Sequence, residues 1–328
     1  MKHLSILVPG EQTTMSTSAC IIGSVQFFTE ANKFIERKGG KPIFRISLIG
    51  PSKHSFLQDG FLTIKPEFEL NEITGTDLII IPATFVRNYK TATKGNKLLI
   101  DWIAKQYRQG AEVASMCVGG FMLASTGLLA GKKCSTHWAM ADEFRNLFPE
   151  VNLQTDQLIT DENGIYTNGG AYSFLHLLLY LVEKFYGREA AIHCAKYFQI
   201  DVNRNLQAEF SVFNGHKKHP DEVVLHAQTF IEENYQDKIS IEELSSKYSV
   251  GRRNFDRRFI KATGLTPLEY MQRVKMEVAK KSFENSRKTV NEVMYEVGYN
   301  DTKSFREVFS RVTGMSPIDY KSKYNRRS

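Results

Sequence analysis

Short apolar runs at 4–8, 44–49, 78–81 and 113–116 are each bounded by proline, glycine or charge. Runs of this length without alternation predict strands covered on both faces, the signature of a parallel sheet. Between them, 20–38 and 95–109 have the length and apolar spacing of helices that could cross over between parallel strands. Helical spacing recurs at 121–129, 139–148, 172–186 and 188–198, with a strand expected at 157–160. The first two thirds therefore read as a layered α/β domain. The polar stretch Phe213-Asn214-Gly215-His216-Lys217-Lys218-His219-Pro220 contains both punctuating residue types and predicts a linker, dividing the chain into domains at 1–212 and 221–328.

Beyond the linker the pattern repeats with an offset of 50. Phe255 pairs with Phe305, Phe259 with Phe309, Thr263-Gly264 with Thr313-Gly314, Pro267 with Pro317 and Tyr270 with Tyr320. Each phenylalanine pair is i and i+4 on one helical face and can anchor a short helix to a core. The glycines end those helices and the prolines start the next. In the first unit Ser240 caps a helix over 241–248, with Glu243 placed to complete a capping box; a turn at Ser249-Val250-Gly251 leads into a second helix at 252–262. The second unit repeats this with 290–297, a turn at Gly298-Tyr299-Asn300 and a helix at 302–312, and a helix over 267–283 joins the two. A helix pair of this kind places its second member in the major groove. With the phenylalanines inward, Arg253, Arg257 and Lys261 face outward from one such helix, and Lys303, Glu307 and the flanking Arg306 from the other. Two readers on a rigid connector suit successive major grooves, about 34 Å apart.

Composition narrows the class. With 328 residues, 42% apolar and 24% charged, the chain is too long for one core and ordinary for a soluble protein. The longest apolar stretch, 174–182, includes His176 and is far short of the roughly 20 residues that cross a bilayer. The N-terminal apolar run breaks at Pro9-Gly10-Glu11, too early for a secretory segment, so a cytoplasmic protein without a membrane partner is expected. Four cysteines at 20, 117, 134 and 194 lack the close pairing of a zinc knuckle or disulfide framework, and neither a structural metal nor a cofactor is expected. The net charge of +7 is unevenly placed: residues 251–328 hold 18 of the 43 basic and 9 of the 36 acidic side chains, leaving 25 and 27 for the rest. A basic segment of this kind attracts a polyanion through counterion release, although a solvated basic tail would show the same charge.

One stretch carries candidate chemistry. Glu112-Val-Ala-Ser-Met-Cys117-Val-Gly119-Gly120-Phe-Met-Leu reads as a strand, a sharp turn at Cys117 and a helix with small residues after the turn. Such an elbow raises a side chain above the carboxyl edge of a sheet, where a helix N-terminus would lower a thiol pKa and offer donors to an oxyanion. A buried structural cysteine fits the same local pattern.

The strings Val113-Ala-Ser-Met-Cys-Val-Gly-Gly-Phe-Met-Leu-Ala, Gly127-Leu-Leu-Ala-Gly-Lys-Lys-Cys-Ser-Thr-His137-Trp138 and Tyr166-Thr-Asn-Gly-Gly170, with Leu181-Val-Glu183, resemble the PfpI-like, class I glutamine-amidotransferase-like domain of bacterial regulators. In those regulators it is joined to an AraC/XylS-type DNA-binding domain, which the C-terminal strings Gly-Tyr-Asn-Asp301, Phe-Arg-Glu-Val-Phe309 and Thr-Gly-Met-Ser-Pro317 also resemble. The resemblance covers nearly the whole chain. It implies a flavodoxin-like, three-layer parallel-sheet domain followed by an all-α domain with two helix-turn-helix units. It also implies a sequence-specific transcriptional regulator, expected to be a homodimer, with double-stranded DNA, a small-molecule effector and RNA polymerase as partners. By that likeness the base-facing positions are Arg253, Asp256, Arg257, Lys303, Arg306 and Glu307, while Arg252, Arg258, Lys261 and Arg311 suit phosphates.

The chain departs from the enzymes of that superfamily where catalysis would need it to conform. An acid after the first strand supports their cysteine; here only Glu11 precedes a run of Thr13, Thr14, Ser16, Thr17, Ser18 and Cys20. Val118 stands where a histidine often follows the cysteine, Pro82-Ala83-Thr84 where a Pro-Gly oxyanion element is expected, and His176 where an aspartate is common. His137 remains as a candidate partner for Cys117. The expectation is a catalytically degenerate domain, not an enzyme, whose Cys117, His137 and Trp138 border a ligand pocket at the carboxyl edge of the sheet. Its rivals are an architectural or dimerising domain and a cysteine-dependent hydrolase, amidase or glyoxalase-like enzyme. A carboxylate within hydrogen-bonding reach of Cys117 would favour the enzyme.

Overall fold

The four apolar runs form the middle of a seven-stranded sheet. The computed structural model describes residues 1–53, 56–57, 62–202 and 206–325, with 56, 57 and 209 as backbone; it divides into two units, Met1–Gln207 and Ala208–Ser328. In the first unit β1 (Lys2–Leu7), β2 (Phe44–Gly50), β5 (Phe68–Glu69), β6 (Leu78–Ile81), β7 (Glu112–Met116), β10 (Ile159–Glu162) and β11 (Ile165–Asn168) lie in the order β10-β11-β7-β6-β1-β2-β5. All neighbours are parallel except β10 and β11, which pair antiparallel at one edge, so the expected all-parallel sheet is corrected there. A hairpin of β3 (Phe56–Leu57) and β4 (Leu62–Thr63) and a parallel pair of β8 (Lys133–Cys134) and β9 (Asn152–Leu153) lie outside it.

The absence of polar alternation in these runs is explained by burial on both faces. Leu4, Ile6, Leu78 and Ile80 enter one core with α1 (Met15–Arg37), α5 (Phe174–Tyr186) and α6 (Arg188–Phe198). Leu7, Ile79 and Ile81 point the other way, against α2 (Lys94–Arg108), α3 (Gly119–Ser125) and α4 (Ala141–Leu147). Three layers result. Helix α1 begins at Met15, five residues before the predicted start, because Thr14 and Thr17 satisfy one another's backbone in a capping box and the Thr17 hydroxyl donates to the Ala83 carbonyl.

The second unit is all helix: α7 (Glu222–Glu233), α8 (Ile241–Lys247), α9 (Arg252–Thr263), α10 (Pro267–Asn285), α11 (Val290–Glu296), α12 (Thr302–Thr313) and α13 (Pro317–Tyr324). It has two cores. Tyr270, Met271 and Val274 of α10 join Phe255 and Phe259 in one, while Met276, Ala279 and Phe283 join Phe305 and Phe309 in the other. The closing turns of the two repeats carry the same hydrogen bonds. Thr263 donates to the carbonyls of Phe259 and Leu265 at 2.8 and 3.1 Å, and Thr313 to those of Phe309 and Met315 at the same distances. Gly264 and Gly314 close their helices at φ of 74° and 76°. Ser240 caps α8 as expected, accepting from the Glu243 N–H at 3.3 Å, but its hydroxyl turns to Glu242.

The polar stretch 213–220 is not a free tether. Phe213 packs edge-on to Tyr270, and the Gly215 carbonyl accepts from the Tyr270 hydroxyl at 3.0 Å. Lys217 pairs with Glu232 at 2.6 Å.

Candidate functional site

Cys117 occupies the turn between β7 and α3 with φ of +54°, a left-handed conformation that a non-glycine residue adopts only where its surroundings enforce it. Its N–H donates to the Asn168 carbonyl at 3.0 Å, and its carbonyl accepts from the Thr136 hydroxyl at 3.1 Å. Gly119 follows because a Cβ there would meet the Pro82 carbonyl oxygen at 2.6 Å. The elbow is real, and its chemistry is muted. The Val118 N–H lowers the thiol pKa, but burial outweighs it and pushes the value from 9.0 up to about 11. The depressed pKa expected from the helix N-terminus is therefore corrected: the residue is only 5% exposed, and desolvation of a thiolate exceeds what one backbone donor returns.

Cys20 of α1 lies within electrostatic reach of Cys117; burial pushes its own pKa up to about 12, with a smaller contribution from Cys117. Among the described residues, no carboxylate acts on the Cys117 thiol. No hydrogen bond joins His137 to Cys117 among the described residues. The His137 Nδ1 accepts from the Ala139 N–H at 3.1 Å, and burial lowers its pKa. Trp138 lies against His137 with ring centroids 5.5 Å apart. The cleft next to the elbow, between Thr84, Val118 and Met140, encloses about 10 Å³, at the threshold for one water. Among the described residues no group of three or more His, Cys, Asp or Glu could hold a metal ion.

The second unit presents a different surface. Arg253, Arg257 and Lys261 of α9 and Lys303, Arg306, Glu307 and Arg311 of α12 are exposed. Asp256 is half-buried and accepts from Arg252 Nε at 2.9 and 3.1 Å; Arg252 also pairs with Glu242. Arg258, expected to suit a phosphate, is paired with a carboxylate within its own unit. Its Nε and Nη2 donate to both oxygens of Asp221 at 2.8 and 2.7 Å, which sequence spacing of 37 residues gave no sign of. Arg257 donates to Asn254 on the same helix at 3.0 Å.

An elbow-bearing α/β domain followed by a basic helical domain with a helix-turn-helix defines a class of regulator. Residues 44–184 match the DJ-1/PfpI family and residues 244–323 match a helix-turn-helix domain. The chain is 25% identical over 294 residues to the HTH-type transcriptional regulator GbdR of Pseudomonas aeruginosa, covering 88% of this chain and 78% of that one. It is 20% identical over 302 residues to the HTH-type transcriptional regulator CdhR of the same species, covering 90% and 85%. Among solved structures, a putative transcriptional regulator from Vibrio parahaemolyticus shares the fold at 24% identity and a TM-score of 0.51, over 60% of this chain and 98% of that one. The protein is an HTH-type transcriptional regulator with an N-terminal DJ-1/PfpI-like domain. Among its described residues, no helix is long and apolar enough to cross a membrane.

Proposed function

We propose that this regulator is of AraC type: a cytoplasmic homodimer that reads double-stranded DNA with both helix pairs and changes operator affinity when its N-terminal domain takes up a small-molecule effector. The observation that carries the reading is the duplicated geometry around α10. Two second helices, α9 and α12, end in the same threonine and glycine bonds, bury equivalent phenylalanines and leave basic faces exposed. The 19-residue α10 shared between their cores is about 28 Å long, commensurate with one turn of DNA. Arg253, Asp256 and Arg257 then face base edges from the first helix, and Lys303, Arg306 and Glu307 from the second. Arginine pairs bidentately with guanine and a carboxylate accepts from cytosine. Arg252, Lys261 and Arg311 approach phosphates, Arg252 by exchanging its partners Glu242 and Asp256.

The domains of this reading are 1–212 and 221–328, with 213–220 between them. Cys117, His137 and Trp138 are the residues this reading assigns to the wall of the effector crevice, although the small cleft beside the elbow is lined by their neighbours Thr84, Val118 and Met140. An effector acts only through its different affinity for two states, so substitutions there shift the effector concentration that changes operator binding. RNA polymerase is the further partner where transcription is raised.

The test is binding of the full chain to a DNA site selected from a random library. Arg257→Ala and Lys303→Ala are each expected to weaken binding by about 1–3 kcal/mol on that site and far less on a scrambled one. Equal losses on both would show that these residues position the backbone and read no base.

A further inference from the structure

The first reading helix, α9, is held by the segment that leads into α7. Asp221 caps α7 by accepting from the Val224 N–H at 3.2 Å, and the same carboxylate grips Arg258 of α9 through both oxygens. His216 Nδ1 lies 2.8 Å from the carbonyl of Thr263, the last residue of α9. Phe213 packs on Tyr270, whose ring in turn meets Phe259 of α9 edge-on at 5.3 Å. Three points along α9 are thus tied to residues 213–221. The backbone of that segment turns through positive φ, which Gly215 at +80° takes freely and His216 at +46° takes with strain. Such a conformation at a histidine persists only where contacts over-determine it.

The second reading helix lacks this grip. Val308, buried and apolar, stands at the repeat position of Arg258. The turn at Ala208–Phe210, upstream of the segment, is what packs against α12.

We propose that residues 213–221 are a positioning strap for α9: Arg258 acts through Asp221 and not on DNA, and undocking the strap disables the first reading helix while leaving the second. The proposal rests on the reading that α9 and α12 each contact one part of the operator. It assigns Arg258 and Asp221 as positioning residues. It also puts the strap in direct chain continuity with the first unit, through residues 208–212.

Gly215→Ala undocks the strap by a different route from the ion pair. A Cβ there would lie 2.7 Å from the Tyr270 hydroxyl and 2.8 Å from Glu232 Oε1, at a φ that disfavours any side chain. The experiment takes the full chain on its selected DNA site and compares Gly215→Ala, Asp221→Ala, Arg258→Ala and Arg258→Lys. The readouts are hydroxyl-radical footprinting, affinity at several salt concentrations, and far-UV circular dichroism. Expected are losses of roughly tenfold for the first three, confined to protection over one half of the site, with partial rescue in Arg258→Lys and helical content retained. The salt slope stays that of the wild type. A slope lower by about 0.9 in Arg258→Ala but not in Asp221→Ala would make Arg258 a phosphate contact and overturn the proposal. Unchanged affinity, or protection lost over both halves together, would overturn it as well. Failure of the wild type to select any sequence would instead refute the DNA-reading proposal on which this one stands.

Discussion

Alkylation of the native protein tests whether the elbow retains nucleophilic character. The thiolate is the reacting species, and Cys117 has its pKa raised from 9.0 to about 11 by burial. At pH 8 the thiolate fraction falls from about one in ten for a thiol of pKa 9 to about one in a thousand, a hundredfold loss before steric protection is counted. The other three cysteines are buried as well, Cys194 raised to about 11 and Cys20 and Cys134 to about 12. All four should therefore resist iodoacetamide in the folded protein and react together once it is denatured. The assay is a pH series of labelling rates, read by peptide mass spectrometry for each cysteine. The Cys117 rate should keep rising tenfold per pH unit up to about 10, the behaviour of a group still largely protonated there. A rate at pH 8 within tenfold of free cysteine, levelling off below pH 9 and abolished by Cys117→Ser, would refute burial as the dominant influence. Turnover of an amide or α-oxoaldehyde lost in the same variant would extend that refutation to the regulatory reading of the domain.

Two further outcomes concern the C-terminal unit, which the two tryptophans, Trp102 and Trp138, do not report because both lie in the first unit. Phe309→Ala empties a fully buried site packed against Phe283 and Tyr320 and should destabilise that unit by about 3–5 kcal/mol, lowering the far-UV dichroism midpoint without moving the tryptophan transition. Coincident shifts in both signals would show the two units unfolding as one. The Arg258 guanidinium holds the Asp221 carboxyl below the usual carboxylate range, so the pair contributes stability that is present above the unfolded value near 3.9 and is lost as pH falls through the lower folded value. Asp221→Asn, which retains an acceptor for the α7 cap, should remove that dependence below about pH 4 at neutral-pH cost under about 1 kcal/mol; Asp221→Ala should cost about 1 kcal/mol more by losing the cap as well. An acid limb of the dichroism-detected stability curve identical in wild type and Asp221→Asn would rule out the ion pair as its source.

Much of the architecture was determined by local pattern. Central strands such as β6 are apolar at every position because both faces are covered, so their neighbours need not be known to recognise them. The repeat in the second unit was equally legible, since the phenylalanine spacing, the closing glycines and the prolines at helix starts each act within a few residues. What the pattern concealed depends on partners far along the chain. Strand β11 carries the fully buried Thr167 and Asn168, which look like loop residues until Thr167 is seen bonded to Thr160 and Ser135, and Asn168 to Leu158 and Ser173. Helix α7 is not signalled by the repeat, since along it only Val224 and Val274 coincide at offset 50. At the elbow, the sequence announced a cysteine at a helix N-terminus, whereas only the packing around it decided that desolvation outweighs the backbone donor. Arg258 was one of several arginines on a basic helix by sequence alone. The folding of Asp221 against it, 37 residues away, turned it from a free cation into an anchor, because a side chain's charge is set by its residue type and its use by what the tertiary structure places beside it.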